Sequence, residues 1–141
     1  MKIVKAGPEH IGAIAALEAE CFSDPWPGDM IGRMLDRFTV ALDDAGGVIG
    51  YLALSSVLDE GSIDNVAVAP AARRGGVGDA LVRDAVRRGR AQELAFITLE
   101  VRAGNEPALR LYEKHGFLPV GRRKNYYEKP REDAILMTLV L

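Results

Sequence analysis

Residues 63–82 read Ile-Asp-Asn-Val-Ala-Val-Ala-Pro-Ala-Ala-Arg-Arg-Gly-Gly-Val-Gly-Asp-Ala-Leu-Val. Within this stretch, Ile63–Val68 is apolar and strand-like, and a helical pattern starts near Asp79. A glycine-rich run, Arg73–Gly78, joins the two and is here called the glycine loop. Backbone N–H groups at a helix N-terminus have no intrahelical partner, and glycines let the backbone come close to an anion. The glycine loop therefore predicts a binding site for a phosphorylated cofactor.

Composition is typical of a single-domain globular protein. The chain has 141 residues, of which 48% are hydrophobic and 27% are charged, so we expect one domain spanning residues 1–141. A single cysteine, Cys21, excludes an internal disulfide, and the sequence offers no cluster of metal ligands. The start of the chain lacks a signal-peptide core, and no apolar run approaches about 20 residues. We therefore expect a cytoplasmic protein with neither a metal nor a membrane partner.

Charge is distributed unevenly along the chain. The net charge of −2 argues against a general nucleic-acid binder. Residues 1–72 carry a net charge of −7, whereas residues 73–141 carry +5, and the change of sign falls at the glycine loop. This asymmetry suits an anionic cofactor and a cationic substrate, although an unevenly charged solvated surface explains it equally well.

Hydrophobic periodicity predicts the element order β-α-α-β-β-β-α-β-α-β-β. This order is typical of an α/β protein in which a mixed sheet is flanked by helices. The predicted strands are Met1–Ala6, Phe38–Asp43, Val48–Val57, Glu60–Val68, Phe96–Arg102, Phe117–Asn125 and Asp133–Leu141. The predicted helices follow Pro8, cover Met30–Leu35, run from the glycine loop to Arg90, and run from Asn105 to His115.

The glycine loop matches neither of the two most familiar nucleotide-binding signatures. It lacks the Lys-Ser/Thr ending of a P-loop and the Gly-x-Gly-x-x-Gly of a dinucleotide fold. It has the form Arg-x-x-Gly-x-Gly, with Arg73, Gly76 and Gly78 at the defined positions. A simple turn at the entry to a helix remains an equal alternative on this run alone.

Glu100 is a candidate general base on the strand Phe96–Arg102. Side chains alternate along a strand, so Ile97, Leu99 and Val101 share one face while Glu100 lies on the other. Ligands in open α/β sheets bind near the carboxyl ends of strands, and a carboxylate there can accept a proton directly or through water. The alternative is a surface pair between Glu100 and Arg102.

Two residues on the following helix are further candidates. The phenol of Tyr112 has an ordinary pKa of about 10 and can donate a proton to a departing thiolate. The alternative for Tyr112 is packing between helix and sheet. Asn105 is expected to cap the N-terminus of this helix, with Pro107 in its first turn.

Several separated segments together resemble the GNAT (Gcn5-related) N-acetyltransferase superfamily over essentially the whole chain. The match is closest to the RimI branch, which acetylates the N-terminal alanine of small-subunit ribosomal protein number eighteen. Beyond the glycine loop, it is carried by Val57–Gly61, Asn65–Val68, Leu99–Asn105, Leu111–Lys114, Gly116-Phe117, Arg123–Tyr127 and Glu132–Ala134. The chain departs from the family pattern at Gly104, where serine is common, and at Asp64, where an apolar or uncharged polar residue is usual.

The resemblance implies acetyl-CoA as co-substrate, no metal, and the N-terminal peptide of a ribosomal protein as acceptor. It implies that Glu100 is the general base and Tyr112 the general acid. The residues implied to bind acetyl-CoA are Val66, Ala67, Val68, Arg73, Arg74, Gly75, Gly76, Val77, Gly78, Asp79 and Asn105. The residues implied to flank the peptide channel are Trp26, Tyr126 and Tyr127.

Two other functions are compatible with the same fold. One is acetylation of lysine, a polyamine or a small-molecule amine, which the acidic Asp59, Glu60 and Asp64 would also suit. The other is a non-enzymatic acyl-CoA sensor. The presence of both Glu100 and Tyr112 argues against the sensor.

Overall fold

A computed structural model describes all residues, Met1–Leu141. Its seven strands are β1 (Lys2–Lys5), β2 (Phe38–Leu42), β3 (Val48–Val57), β4 (Glu60–Val68), β5 (Phe96–Arg102), β6 (Leu118–Glu128) and β7 (Arg131–Val140). Its four α-helices are α1 (Ile11–Cys21), α2 (Gly28–Arg33), α3 (Val77–Ala91) and α4 (Glu106–Lys114). The strands form one sheet in the order β1-β2-β3-β4-β5-β7-β6, with parallel and antiparallel pairs, which confirms the predicted fold class.

Sequence periodicity located most strands well, and β3, β4 and β5 have the predicted bounds. β6 is longer than predicted, because it continues past Asn125 to Glu128. Asn125 has a left-handed φ of 53°, and the pairing of β6 with β7 shifts register between Arg123 and Tyr127. Asparagine tolerates this conformation better than most residues, so the strand bulges there rather than ending. The second helix begins and ends two residues before the predicted Met30–Leu35.

Residue contacts divide the chain into two compact units. Unit 1 comprises Met1–Leu54 and Asn65–Asp84, and unit 2 comprises Ser55–Asp64 and Ala85–Leu141. Each unit is thus assembled from two separate stretches of chain. The single domain expected from chain length stays a prediction.

The core of unit 1 is built around Phe38. The Phe38 ring packs edge-on against Trp26, with 6.1 Å between ring centroids, and against Tyr51, with 5.6 Å. A Cβ atom at Gly50 would lie only 3.0 Å from the Ala67 carbonyl oxygen, so β3 needs glycine there to approach β4. The buried core residues of this cluster are Ile14, Ile31, Phe38, Val40, Tyr51, Ala53 and Ala67.

Unit 2 is organised by β5. This strand pairs antiparallel with β7 over its whole length and parallel with Glu60–Ser62 of β4. Ile97, Leu99 and Val101 are buried, as the alternation along the strand predicts. Glu100 therefore lies on the opposite face of β5, where it is exposed. No helix in the structure combines the length and the apolar character needed to span a bilayer.

Candidate active site

In unit 1 the glycine loop joins β4 to α3, as predicted. Two of its residues have left-handed backbone, Arg74 with φ of 66° and Gly76 with φ of 81°. The backbone N–H of Ala80 donates to the Gly76 carbonyl at 3.0 Å and closes the first turn of α3. The backbone amides that precede Ala80 lie in the N-terminal turn of α3. The N–H groups of such a turn bind anions favourably. The local backbone thus has the form of an anion cradle.

Arg73, at the edge of the glycine loop, ties the loop to its surroundings in unit 1. Its Nε atom donates to the Val68 carbonyl oxygen at 3.2 Å. Its Nη2 atom lies 3.6 Å from Cys21 Sγ, which is the only thiol of the chain. The side chain of Arg73 thus connects the end of β4 with the end of α1.

The predicted donor strand Val66–Val68 lies at the end of β4. Ala67 is buried, whereas Val66 and Val68 are partly exposed. The next residue, Ala69, donates its N–H to the Ile49 carbonyl at 2.9 Å, which holds the end of the strand to β3. The parallel register of β4 with β5 covers Glu60–Ser62 and so stops before Val66.

A buried carboxylate that sequence reasoning missed lies near Trp26 in unit 1. Glu18 of α1 has an exposed fraction of 0%, and its Oε2 atom accepts the backbone N–H of Trp26 at 2.9 Å. Its Oε1 atom accepts one hydrogen bond from Asn65 Nδ2, at 2.5 Å, and another from the Tyr51 hydroxyl. Burial and the bond to Glu18 both raise the pKa of Tyr51. The available signal was the position of Glu18, four residues after the buried Ile14 on the same helix.

In unit 2 the structure brings Glu100 together with both tyrosines predicted to flank the peptide channel. Hydrogen bonding to Glu100 is the largest cause of a raised pKa at Tyr126, followed by the negative charge of Glu100. The Tyr126 and Tyr127 rings meet edge-on, with centroids 5.1 Å apart. Burial, followed by the charge of Glu100, raises the pKa of Tyr127 to about 12. A predicted base and two phenols therefore share one cluster.

Arg102 does not pair with Glu100, which was the alternative considered for that strand face. Its guanidinium lies 4.4 Å from the centre of the Tyr127 ring and donates to Glu132 Oε1 at 3.2 Å. It also donates to the Pro130 carbonyl at 2.8 Å. Glu132, another residue that sequence reasoning left without a role, accepts the N–H of Gly104 through Oε2 at 2.6 Å. These contacts fasten the turn between β6 and β7 to the end of β5.

Tyr112 and Asn105 lie on and before α4. Tyr112 is buried and packs edge-on against Phe117, with 5.8 Å between centroids. Burial is the main cause of its raised pKa, and the nearby Tyr127 adds to it. The Asn105 side chain accepts the N–H of Ala108 at 3.3 Å, which confirms the predicted helix cap. Packing and capping are therefore observed for these two residues, and their predicted roles in acetyl transfer stay predictions.

Comparison with protein families gives a match to the acetyltransferase (GNAT) family over residues 11–117. The chain belongs to the GNAT acetyltransferase family. A Bacillus subtilis GNAT protein, provisionally named [ribosomal protein bS18]-alanine N-acetyltransferase, is 34% identical over 137 residues, covering 94% of this chain and 91% of the relative. The resemblance stated from the motifs is thereby confirmed.

Solved GNAT structures agree with this assignment. The crystal structure of the ribosomal-protein-S18-alanine N-acetyltransferase from Escherichia coli superposes with a TM-score of 0.89 and 30% identity, covering 99% of this chain and 92% of that one. A crystal structure of the NatC complex bound to Gag peptide and CoA has a TM-score of 0.86 and 25% identity, covering 100% of this chain and 99% of that one. The predicted GNAT fold is confirmed.

Replacing Glu100 with Gln tests the contact between Glu100 and Tyr126. We expect the pKa of Tyr126 to fall towards the ordinary value of about 10, because the negative charge that disfavours the phenolate is removed. Titration of tyrosinate absorbance measures this change together with the fall expected at Tyr127, whose pKa Glu100 also raises, among only four tyrosines in the chain. Glu106→Gln is the matched control, because Glu106 is an exposed carboxylate that pairs with Arg110. An unchanged titration in Glu100→Gln would contradict the contact.

The same raised pKa values set the alkaline stability of the GNAT protein. All four tyrosines hold their proton more tightly in the folded chain than at the ordinary pKa of about 10. The unfolded chain therefore binds fewer protons above about pH 10, and the free energy of unfolding falls as pH rises through the folded pKa values. In Glu100→Gln this fall becomes shallower, which denaturant titrations at several pH values can measure.

Proposed function

We propose that this GNAT protein transfers the acetyl group of acetyl-CoA to the N-terminal α-amine of a protein that begins with alanine. The proposed acceptor is small-subunit ribosomal protein S18, because the Escherichia coli structure similar to nearly the whole chain is named for that activity. The observation that carries the proposal is that Glu100 lies close enough to Tyr126 and Tyr127 to raise the pKa of both. This proximity joins a predicted base to residues predicted to flank the acceptor. The unpaired thiol of Cys21 is consistent with a cytoplasmic setting.

Glu100 is proposed to take a proton from the acceptor amine, directly or through water. An α-amine has a pKa of about 8 and a lysine side chain about 10.4, so deprotonation at pH 7 costs about 1.4 and about 5 kcal/mol respectively. One exposed carboxylate meets the smaller demand more easily. The proposed acceptor is therefore an α-amine rather than a lysine.

Tyr112 is proposed to protonate the thiolate as coenzyme A leaves. Its raised pKa keeps the phenol protonated at any working pH, as a proton donor requires before it acts. The same burial makes the phenolate costly. We therefore expect Tyr112 to regain a proton from solvent, to which Glu100 releases the proton taken from the acceptor amine, so that Tyr112 does not remain ionised.

Donor binding is proposed to rest on the backbone of unit 1. The left-handed Arg74 and Gly76 shape the glycine loop for the pyrophosphate of acetyl-CoA. The backbone of Val66–Val68 is proposed to pair with the pantetheine arm, and an N–H group near Val68 to stabilise the oxyanion. Asn105 is proposed as a further contact with acetyl-CoA.

A peptide panel tests the proposed acceptor. Peptides that begin with Ala, Ser or Met, and a blocked peptide with an internal lysine, are incubated with the protein and labelled acetyl-CoA. We expect the highest kcat/KM for the alanine peptide, and mass spectrometry of treated ribosomal proteins should find the label on S18. Preferential labelling of the internal lysine, or of a free polyamine, would replace the proposal by the alternative acceptor class.

Tyr112→Phe tests the proposed acid. Loss of a general acid typically lowers the rate by a factor of about 100 or more, whereas the ring packing against Phe117 is retained. We expect kcat for the alanine peptide to fall by about that factor and the KM for acetyl-CoA to change less than about twofold. Steady-state kinetics with an unfolding curve as control would exclude the role if kcat were unchanged.

Gly76→Asp tests the proposed pyrophosphate site. A carboxylate in the glycine loop repels the pyrophosphate, so calorimetry should find acetyl-CoA binding weakened at least about tenfold. Gly46→Asp is a closely matched control, because Gly46 has φ of 87° and, like Gly76, open space around an added Cβ atom. Both variants carry the cost of a left-handed aspartate, so only a loss confined to Gly76→Asp reports on the site. Equal affinities in the two variants would contradict the assignment.

A further inference from the structure

Glu18 is a buried carboxylate for which the proposed chemistry has no use. Its exposed fraction is 0%, and burial of a carboxylate is unfavourable unless hydrogen-bond donors surround it. Three donors do so: the Trp26 backbone N–H, Asn65 Nδ2 and the Tyr51 hydroxyl. Such a satisfied network fixes the relative positions of the groups that it joins.

Two of the three donors come from segments with predicted roles in binding the two substrates. Trp26 belongs to the loop between α1 and α2, which is predicted to flank the acceptor peptide. Asn65 directly precedes Val66–Val68, which is predicted to hold acetyl-CoA. Glu18 contacts both segments, and the third donor, Tyr51, fixes the carboxylate to the core.

Trp26 itself is held in two ways. Its ring packs edge-on against Phe38, and its backbone N–H is bonded to Glu18 at 2.9 Å. Phe38 in turn packs against Tyr51, whose hydroxyl also reaches Glu18. The carboxylate and the aromatic chain thus form a closed set of contacts around the loop.

We propose that Glu18 is a positioning residue. It fixes the loop between α1 and α2, which carries Trp26, relative to the strand Val66–Val68, and so sets the affinity for the acceptor peptide. The inference rests on the proposed function, because it assumes a peptide acceptor. The chemical basis of the inference is the number of hydrogen-bond acceptors that residue 18 supplies. A carboxylate offers two oxygens to the three donors. The amide of glutamine offers one oxygen, and its NH2 group would face hydrogen-bond donors instead of accepting from them.

Glu18→Gln is the test, with Glu20→Gln as the matched control. Glu20 lies on the same helix and is exposed, so its substitution removes the same charge without touching the network. In Glu18→Gln we expect the KM for the alanine peptide to rise about tenfold or more, as loss of a hydrogen bond to a charged group produces. The KM for acetyl-CoA should change less than about twofold, since the glycine loop is intact.

Trp26 provides a reading that does not depend on activity, because it is the only tryptophan of the chain. We expect acrylamide to quench its fluorescence more strongly in Glu18→Gln than in the wild type or in Glu20→Gln.

Adding Asn65→Asp to Glu18→Gln should restore both the KM for the peptide and the quenching of Trp26, because the glutamine amide then donates to the carboxylate that this second substitution introduces. The Tyr51 hydroxyl, which like Asn65 contacts Glu18 Oε1, can donate to that new carboxylate too. Such rescue is not expected of a residue that merely contributes stability.

The outcomes separate the two proposals. If Glu18→Gln lowers the melting temperature but alters neither the quenching of Trp26 nor the KM for the peptide, the positioning role is overturned. If the wild type modifies no peptide, the proposed acceptor and the role of Glu18 towards it both fail, and quenching still decides whether Glu18 holds the loop. If Glu18→Gln does not fold, Tyr51→Phe removes one donor with the ring retained, and the same two readings apply.

Discussion

The pairing of β5 with β7 is the constraint on which the site in unit 2 depends. Seven consecutive residues of β5 pair with β7, so the phase of the strand is fixed along its whole length. A shift by one residue would turn Glu100 and Arg102 into the core and expose Leu99. Because β7 continues into the hairpin with β6, the same pairing determines which residues of that hairpin meet Glu100. The contact with Tyr126 is thus a consequence of strand register.

In unit 1 the corresponding constraint is the need to satisfy a buried charge. Glu18 draws its donors from three separate segments, and each must be correctly placed before the network closes. The backbone shape of the glycine loop, in contrast, is local. It depends on left-handed residues within a few positions of one another. One unit therefore combines a locally determined glycine loop with a loop at Trp26 that depends on distant partners.

Local patterns predicted the fold well because strand alternation and helix periodicity are properties of neighbouring residues. The bounds of β3 and β5, the cap at Asn105 and the glycine loop before α3 were all accessible in this way. The continuation of β6 beyond Asn125 was not, since it depends on pairing across a bulge. Nor were the roles of Arg102 and Glu132, whose contacts lie about 30 residues apart along the chain. Glu18 was missed because its partners are as many as 47 residues distant.

The contact between Arg73 and Cys21 has a consequence for chemical modification. Cys21 is the only cysteine, so a thiol-reactive label would attach at a single place in the chain. That place adjoins an arginine at the edge of the glycine loop whose other bond is to the Val68 carbonyl. A bulky adduct would displace this arginine and disturb the loop. Inactivation by an alkylating reagent would therefore report damage to the neighbouring loop, and would not identify Cys21 as a nucleophile.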